Sequence, residues 1–468
     1  MHPGTGGFLA HAFGVRYDLP IPLLLFVIGG AAVVVLSFVL VLPRVVRAAN
    51  ADDASLPDRP GSGNLHPVLT PLSLLALAFL TYCGITGSNE VPENITPTVM
   101  WVLVWVAVPI LCGLLGDWTR LLNPFAALAR LADRPGLRKA VLARTEPLPW
   151  RVGWWPAVVL LFGLACAELI YQLTTTEPHV IGQALLFYAV ANLFLGLLFG
   201  TAWIENGEVY SVLFATWGRI GFWRFGAPGR RGFGGGLVAP FDGTASRLLF
   251  VMLLLISVNF DGVLSTPQWT DFERGQVGLD ETQQHLLRLG TFCALIALTL
   301  LVFGSFAVAS ARLGRHGGSK RAALNGLLPS LVPIAFGYLV AHNLAYLLVN
   351  GQLMAPLIGN PTGKHALGLP APFNDTYEVN SAFLPSAFYW YVGVAVIVAV
   401  HVAAVILAHR HLAGTATDKH AARRSEFPWL VAMVGYTVFS LILIAQPLVE
   451  EGTSSKEAAP VLTTTLAT

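Results

Sequence analysis

The sequence predicts an all-α protein, a polytopic transmembrane helix bundle of about ten spans with both termini exoplasmic. Three observations carry that prediction. Only 12% of the residues are charged against 55% hydrophobic, where a soluble chain carries about 25% charged residues. Apolar runs repeatedly reach the ~20 residues that cross a hydrocarbon core as a helix. Basic residues gather in alternate loops, as the positive-inside bias requires.

The elements follow in order. Residues 1–21 form an exoplasmic arm, and Pro20 and Pro22 set the start of the first span, where a missing amide donor costs nothing. The arm lacks the basic start and long apolar run of a signal peptide. The transmembrane domain covers 22–447, with spans expected at 22–42, 68–86, 97–116, 155–174, 183–203, 246–264, 286–309, 325–349, 384–409 and 428–447. The polar tail 448–468 is expected to be disordered.

Alternate loops hold all of the 28 Lys and Arg except Arg16, Arg274, Arg288, Lys364 and Lys456. That pattern places the N and C termini outside a bacterial cytoplasmic membrane. The abundance of Arg over Lys and of Ala, Leu and Val hints at a GC-rich bacterial genome. The net charge of +2 is spread along the chain as a topology signal, so it marks the lipid bilayer as partner and no nucleic acid.

Two inner loops are long. The first, 117–154, has Leu121, Leu122, Phe125, Leu128 and Leu131 at helical spacing with Trp118 and Trp150 at its ends. It reads as an amphipathic segment lying on the inner surface, with a re-entrant segment as the alternative. In the second, Val209–Trp217 either dips into the membrane or lies flat on it. The Gly-rich stretch Gly232–Gly236 follows no strand and lacks a phosphate-loop pattern, so it reads as a linker. Cys83, Cys112, Cys166 and Cys293 are widely separated and fall in spans, where cysteine behaves as a small hydrophobe.

Ionisable residues within spans are few, because an uncompensated charge there costs ~2.5–3.5 kcal/mol even on the lenient insertion scale. They are Glu168, Asp261, His342 and His401. At ~1.5 Å per residue, His342 lies roughly 10 Å, Glu168 roughly 9 Å and Asp261 roughly 4–5 Å from the outer end of its span. These three are expected to meet in one outward-facing cavity as acid–base or metal-ligating groups, with His11 of the arm a possible fourth ligand. Imidazole and carboxylate suit zinc or a related divalent transition metal.

Tyr338, His342, Tyr346 and Asn350 recur every four residues, which makes a polar stripe bordered by Asn343. Glu168, Tyr171 and Gln172 share a face at i, i+3 and i+4 of the expected fourth span, and both stripes are expected to line a pocket. Asp261 near a helix C-terminus is unfavourably placed for a carboxylate, which calls for a cation or donor beside it. His401 lies roughly 25 Å down, some ~15 Å below His342, so one iron could not be ligated by both. With only Met252 and Met433 near the inner level, haem is disfavoured, and His401 reads as a packing histidine, as do His409 and His411.

The stretches "AHAFGVRYDLPIPL", "GDWTRLLNPF", "NFDGVLSTPQW", "AHNLAYLLVNGQ" and "MVGYTVFSLILIAQP" together resemble a family of mostly actinobacterial membrane proteins labelled fenitrothion hydrolase. The resemblance runs from about residue 10 to 447. It implies hydrolysis of an organophosphorus triester, with a second membrane subunit as partner. Relatives often carry a histidine three residues before the position of His342. This chain has Leu339 there, so the resemblance supplies no two-histidine metal pair on that face.

Three function classes stay open. A membrane hydrolase would use His342, Glu168 and Asp261 to activate water. A proton-coupled permease would use the same residues as a relay. A membrane subunit without chemistry would tie its helices together with them.

Overall fold

The computed structural model describes residues 28–33, 35–36, 65–225, 232–238, 241, 243–276, 278–317 and 319–454. The expected arm 1–21 and most of the expected first span lie outside them.

In chain order the helices are α1 (Leu69–Thr86), α2 (Ile95–Leu115), α3 (Pro124–Ala132), α4 (Pro135–Leu142), α5 (Trp155–Leu169), α6 (Pro178–Phe199), α7 (Thr201–Asn206) and α8 (Val209–Gly218). They continue with α9 (Ala245–Leu264), α10 (Pro267–Gly275), α11 (Glu281–Leu313), α12 (Lys320–Asn350), α13 (Met354–Gly359), α14 (Ser386–Thr415) and α15 (Lys419–Ser454). The described residues contain no strand. The protein is therefore all-α, and eight of its described helices are long and apolar enough to cross a membrane: α1, α2, α6, α9, α11, α12, α14 and α15. α15 runs on to Ser454, past the boundary expected at 447. We name the two faces inner and outer for the orientation that the basic residues predict.

Large parts of several spans are exposed, as lipid-facing surface must be. Only 17% of the most apolar window of α11 is buried inside the protein, against 56% of that of α9. α9 is thus the central helix. It packs against α5, α11, α12 and α15, and its stretch from Phe250 to Ile256 is wholly buried. Small residues set the closest crossings, as is usual where no hydrophobic force separates helix from lipid. Gly84 of α1 and Gly182 of α6 meet backbone to backbone, so a Cβ on Gly84 would lie 2.8 Å from the Cα of Gly182.

The first inner loop departs from the surface helix expected of it, and the second takes the dipping form of the two expected for Val209–Trp217. The segment 117–154 is not one surface helix. α3 stands along α6, with Phe125, Ala126, Ala129 and Ala132 buried. The alanines explain this, because they let α3 press onto Gly196 of α6, where any side chain would collide with Ala129. The ring of Phe125 sits 4.6 Å from that of Tyr188, about 15 Å from either end of α6 at 1.5 Å per residue. α3 therefore begins near the mid-depth of α6 and runs back to its inner end, where Asp133 adjoins Gly200.

The second inner loop does the same. α7 turns back at Gly200, where φ is +61°, and α8 begins at Glu208, which bonds Tyr188. All ten residues of α8 are buried, and its end at Gly218 abuts Asp117 beyond α2. Two short helices thus re-enter from the inner side and meet, start to start, at the level of Tyr188.

Candidate functional site

Asp261 lies one turn from the end of α9, and His342 lies on α12. The imidazole Nε2 is 2.5 Å from the carboxylate Oδ2, a hydrogen bond that holds one proton between the two groups. Charge-assisted bonds of this kind are roughly twice as strong as neutral ones. His342 is the donor that the placement of Asp261 called for. Both side chains are largely shielded, at 12% and 28% exposure.

Glu168 completes the cluster from α5, where it lines a cavity beside Trp105 of α2. Glu168, Asp261 and Asn343 line one cavity of about 40 Å³ together with Trp105, Leu161 and Ser257. The structure thus brings the three expected site residues to one place. His342 and Asp261 are in contact, but no group of three His, Cys, Asp or Glu among the described residues is arranged to hold a metal ion. His11, the expected fourth ligand, lies outside the described residues.

The polar stripe divides into distinct roles. Tyr338 stacks on His342 with ring centroids 5.9 Å apart. Its hydroxyl is buried and has no hydrogen-bond partner among the described residues. Gly262 makes room for it, since a Cβ there would stand 2.7 Å from that oxygen. Tyr346 stands one turn beyond His342 on the same helix. Asn343 and Asn350 donate back to the carbonyls of Leu339 and Tyr346 on their own helix.

The face expected to join Glu168, Tyr171 and Gln172 does not form. α5 stops at Leu169 because the hydroxyl of Thr175 takes the Ala167 carbonyl, while the Tyr171 amide bonds Cys166 instead. Tyr171 turns away and packs its ring 4.7 Å from that of His285. Gln172 opens a separate short turn, Gln172–Thr175.

A second part of the site was not foreseen. Where the two re-entrant helices meet, Asn123 caps α3 by accepting from the amides of Phe125 and Ala126. Glu208 caps α8 by accepting from Tyr210 and Ser211. Each cap satisfies amides that an open helix start would leave bare. The two caps also bind each other, since Asn123 Nδ2 donates to Glu208 Oε2 at 2.7 Å, and the Tyr188 hydroxyl donates to Oε1 at 2.8 Å. Glu208 is fully buried and receives four donors, the surroundings of an acceptor-only carboxylate. The signal available in the sequence was Asn123 followed by Pro124, the order of a helix cap and its first residue.

Above this junction lies an apolar chamber of about 310 Å³. Phe125, Tyr188, Val209 and Tyr210 form its floor, and Trp101 and Trp105 flank it. Phe187, 77% exposed, marks its mouth on the lipid-facing side of α6. Trp101 and Trp105 belong to a stretch of α2, Thr98–Ala107, wound as a π-helix, a form frequent at functional sites. Trp105 also lines the small polar cavity. One indole therefore divides an apolar chamber from an acid–base cluster.

The inner histidines differ from one another. His401 is buried and bonds the Ile397 carbonyl through Nδ1 at 2.8 Å, while its Nε2 is buried without a partner among the described residues. His409 pairs with buried Glu426 of α15 at 2.8 Å. Sequence reading passed over Glu426 because it lies two residues before the expected start of the tenth span, and α15 begins at Lys419 instead.

No protein-family model, no curated protein and no solved structure matches this chain.

Proposed function

We propose that this chain is a proton-coupled transporter of an uncharged lipophilic molecule, set in a bacterial cytoplasmic membrane with both termini outside. The apolar chamber holds the molecule, and Asp261, His342 and Glu168 carry the proton. The observation that supports this most directly is the shared wall, because Trp105 lines both the chamber and the polar cavity that holds Glu168 and Asp261. The chamber, about 310 Å³, is twice the ~150 Å³ of a dry engineered cavity that takes up benzene. The polar cavity, about 40 Å³, has room for a few waters at ~10–15 Å³ each and none for an organic solute. Re-entrant helices around a mid-depth chamber also suit transport, since irregular backbone at membrane depth is tolerated where it lines a cavity.

The test is uptake of N-phenyl-1-naphthylamine, a neutral lipophilic fluorophore, into proteoliposomes with and without an imposed pH gradient. Uptake should follow the gradient in the wild type and lose that dependence in Asp261→Asn. Uptake equal to that of empty vesicles under both conditions would sink the proposal.

A second reading, hydrolysis of a lipophilic organophosphorus ester, draws on the family resemblance and on the Asp261–His342 pair, whose geometry suits a general base held by a carboxylate. Release of nitrophenolate from such an ester by the purified protein, abolished in His342→Ala, would favour this reading over transport.

A further inference from the structure

Four helices, α9, α12, α14 and α15, pack into a sub-bundle that includes the most extensive helix pairing among the described residues, that of α12 with α14. Its register is marked at three points. Gly326 of α12 abuts His411, Gly337 abuts Val400, and Ala341 lies 3.6 Å from a Cβ built on Gly393. Along this seam α12 presents Gly326, Ser330, Pro333, Gly337 and Ala341, which recur every three or four residues and so share one face.

Buried polar atoms recur along the same seam. At the outer end stands the Asp261–His342 pair. At the level of that pair, against Gly262 of α9, lies the Tyr338 hydroxyl, buried and without a partner among the described residues, while the Tyr338 backbone is one turn inward, roughly 6 Å. Tyr338 follows Gly337, so it stands level with Val400 and its neighbour His401, whose Nε2 is likewise buried and unpartnered. His401 bears on α15, because Val405, one turn along the same face, packs on Leu430 and Val434.

About 10 Å further in along α12 lies Ser330, whose buried hydroxyl donates to the Leu327 carbonyl at 2.6 Å. There Pro329 and Pro333 interrupt the helix interior, and a proline frees the carbonyl four residues before it. That leaves the carbonyls of Asn325 and Pro329 without their helical amides. At the inner end is the His409–Glu426 pair, and Glu426 Oε2 is buried without a partner among the described residues.

Orphaned buried polar atoms are rare, and in native proteins ordered water satisfies them. In a membrane interior the cost of leaving them bare is several kcal/mol each. Here Tyr338, His401 and Glu426 carry them at successive depths of one sub-bundle.

We propose that this seam is a proton path that joins the outward pair Asp261–His342 to the inward pair His409–Glu426 by way of Tyr338, His401, Ser330 and the waters bound between them. It rests on the reading of Asp261–His342 as a proton-carrying pair and extends it across the membrane. Each transfer moves a proton alone. His401 takes one at Nε2, becoming imidazolium while Nδ1–H stays on the Ile397 carbonyl, and gives it up from Nε2 to the next water, which restores the ring. His409 and Glu426 then hold the proton between them and release it to the inner side.

The experiment uses the full chain in proteoliposomes that contain pyranine, with a potassium gradient and valinomycin to set the interior negative. Wild-type vesicles should acidify faster than empty ones. His401→Leu and Glu426→Gln should bring the rate down to that of empty vesicles, and the melting temperature of each variant in detergent checks that it is folded. Should His401→Leu prove unfolded, Glu426→Gln decides alone.

Wild-type vesicles no faster than empty ones would overturn the path. So would His401→Leu and Glu426→Gln vesicles that acidify as the wild type does. If those two variants conduct normally while Asp261→Asn does not, the inward path fails and the outward proton site stands. If none of the three changes the flux, both fail together.

Discussion

At the scale of single residues, the Asp261–His342 bond is where chemistry and stability coincide. A double-mutant cycle with Asp261→Asn and His342→Ala should give a coupling of ~1–3 kcal/mol in detergent unfolding, as expected of a shielded, charge-assisted contact. A coupling near zero would mean that the two groups do not depend on each other. A second residue-scale prediction concerns Asp418, on the inner side before α15. It accepts from the amides of Ala421 and His420, and those backbone bonds, that of Ala421 foremost, hold its carboxyl below the usual carboxylate range. Its contribution is therefore present above the ordinary carboxylate pKa and lost as pH falls through the lower folded value. The protection factor of the Ala421 amide, its exchange rate relative to the intrinsic rate at the same pH, should fall across that acid window in the wild type. In Asp418→Ala the protection factor should be low already at neutral pH.

The three central site residues were legible because charge inside a span is rare enough to stand out. Glu208 was not legible, since in "WIENGEVYS" it follows an expected span end and looks like one of several loop carboxylates. Tyr171 and Gln172 were misplaced because their shared face assumed a helix that a threonine hydroxyl ends early.

At the scale of elements, the junction of α3 and α8 is the most exacting part of the fold. Asn123→Ala removes the cap of α3 and one donor to Glu208, which should cost ~1–2 kcal/mol. Gly196→Leu should cost at least ~1–3 kcal/mol, because the crossing of α3 and α6 has no room for a side chain. Both are measured by unfolding in detergent, and a Gly196→Leu protein as stable as the wild type would contradict the packing. Long spans such as α11 and α14 were readable from apolar run length alone. The re-entrant helices α3 and α8 have 9 and 10 residues, far short of the ~20 that mark a crossing. Hydropathy assigns such pieces to loops. What buries them is contact with α6 and α2, and contact between distant segments leaves no period in the sequence.

At the scale of the whole molecule, the basic loops predict which face is which. A cysteine in place of Ser319 should be shielded from an impermeant thiol reagent in right-side-out vesicles, and one in place of Asn374 should be labelled. The reverse result would invert the protein. The native cysteines should not interfere, for three are buried and Cys293 sits within the span α11.

The meeting of two helix starts on one carboxylate also fixes the electrical character of the chamber. Each helix start carries roughly half a positive charge, and two of them together match the single negative charge of Glu208. The floor is close to neutral, so an uncharged guest neither gains nor loses by its approach, while an ion of either sign finds nothing to replace its water. Glu208→Gln would leave the floor positive by about one unit. A variant that still folds should then bind the anionic 1-anilinonaphthalene-8-sulfonate more tightly than the wild type does, by fluorescence titration, and N-phenyl-1-naphthylamine no better. The chamber would have exchanged a preference for neutral molecules for one for anions through the loss of a charge that its guest never touches.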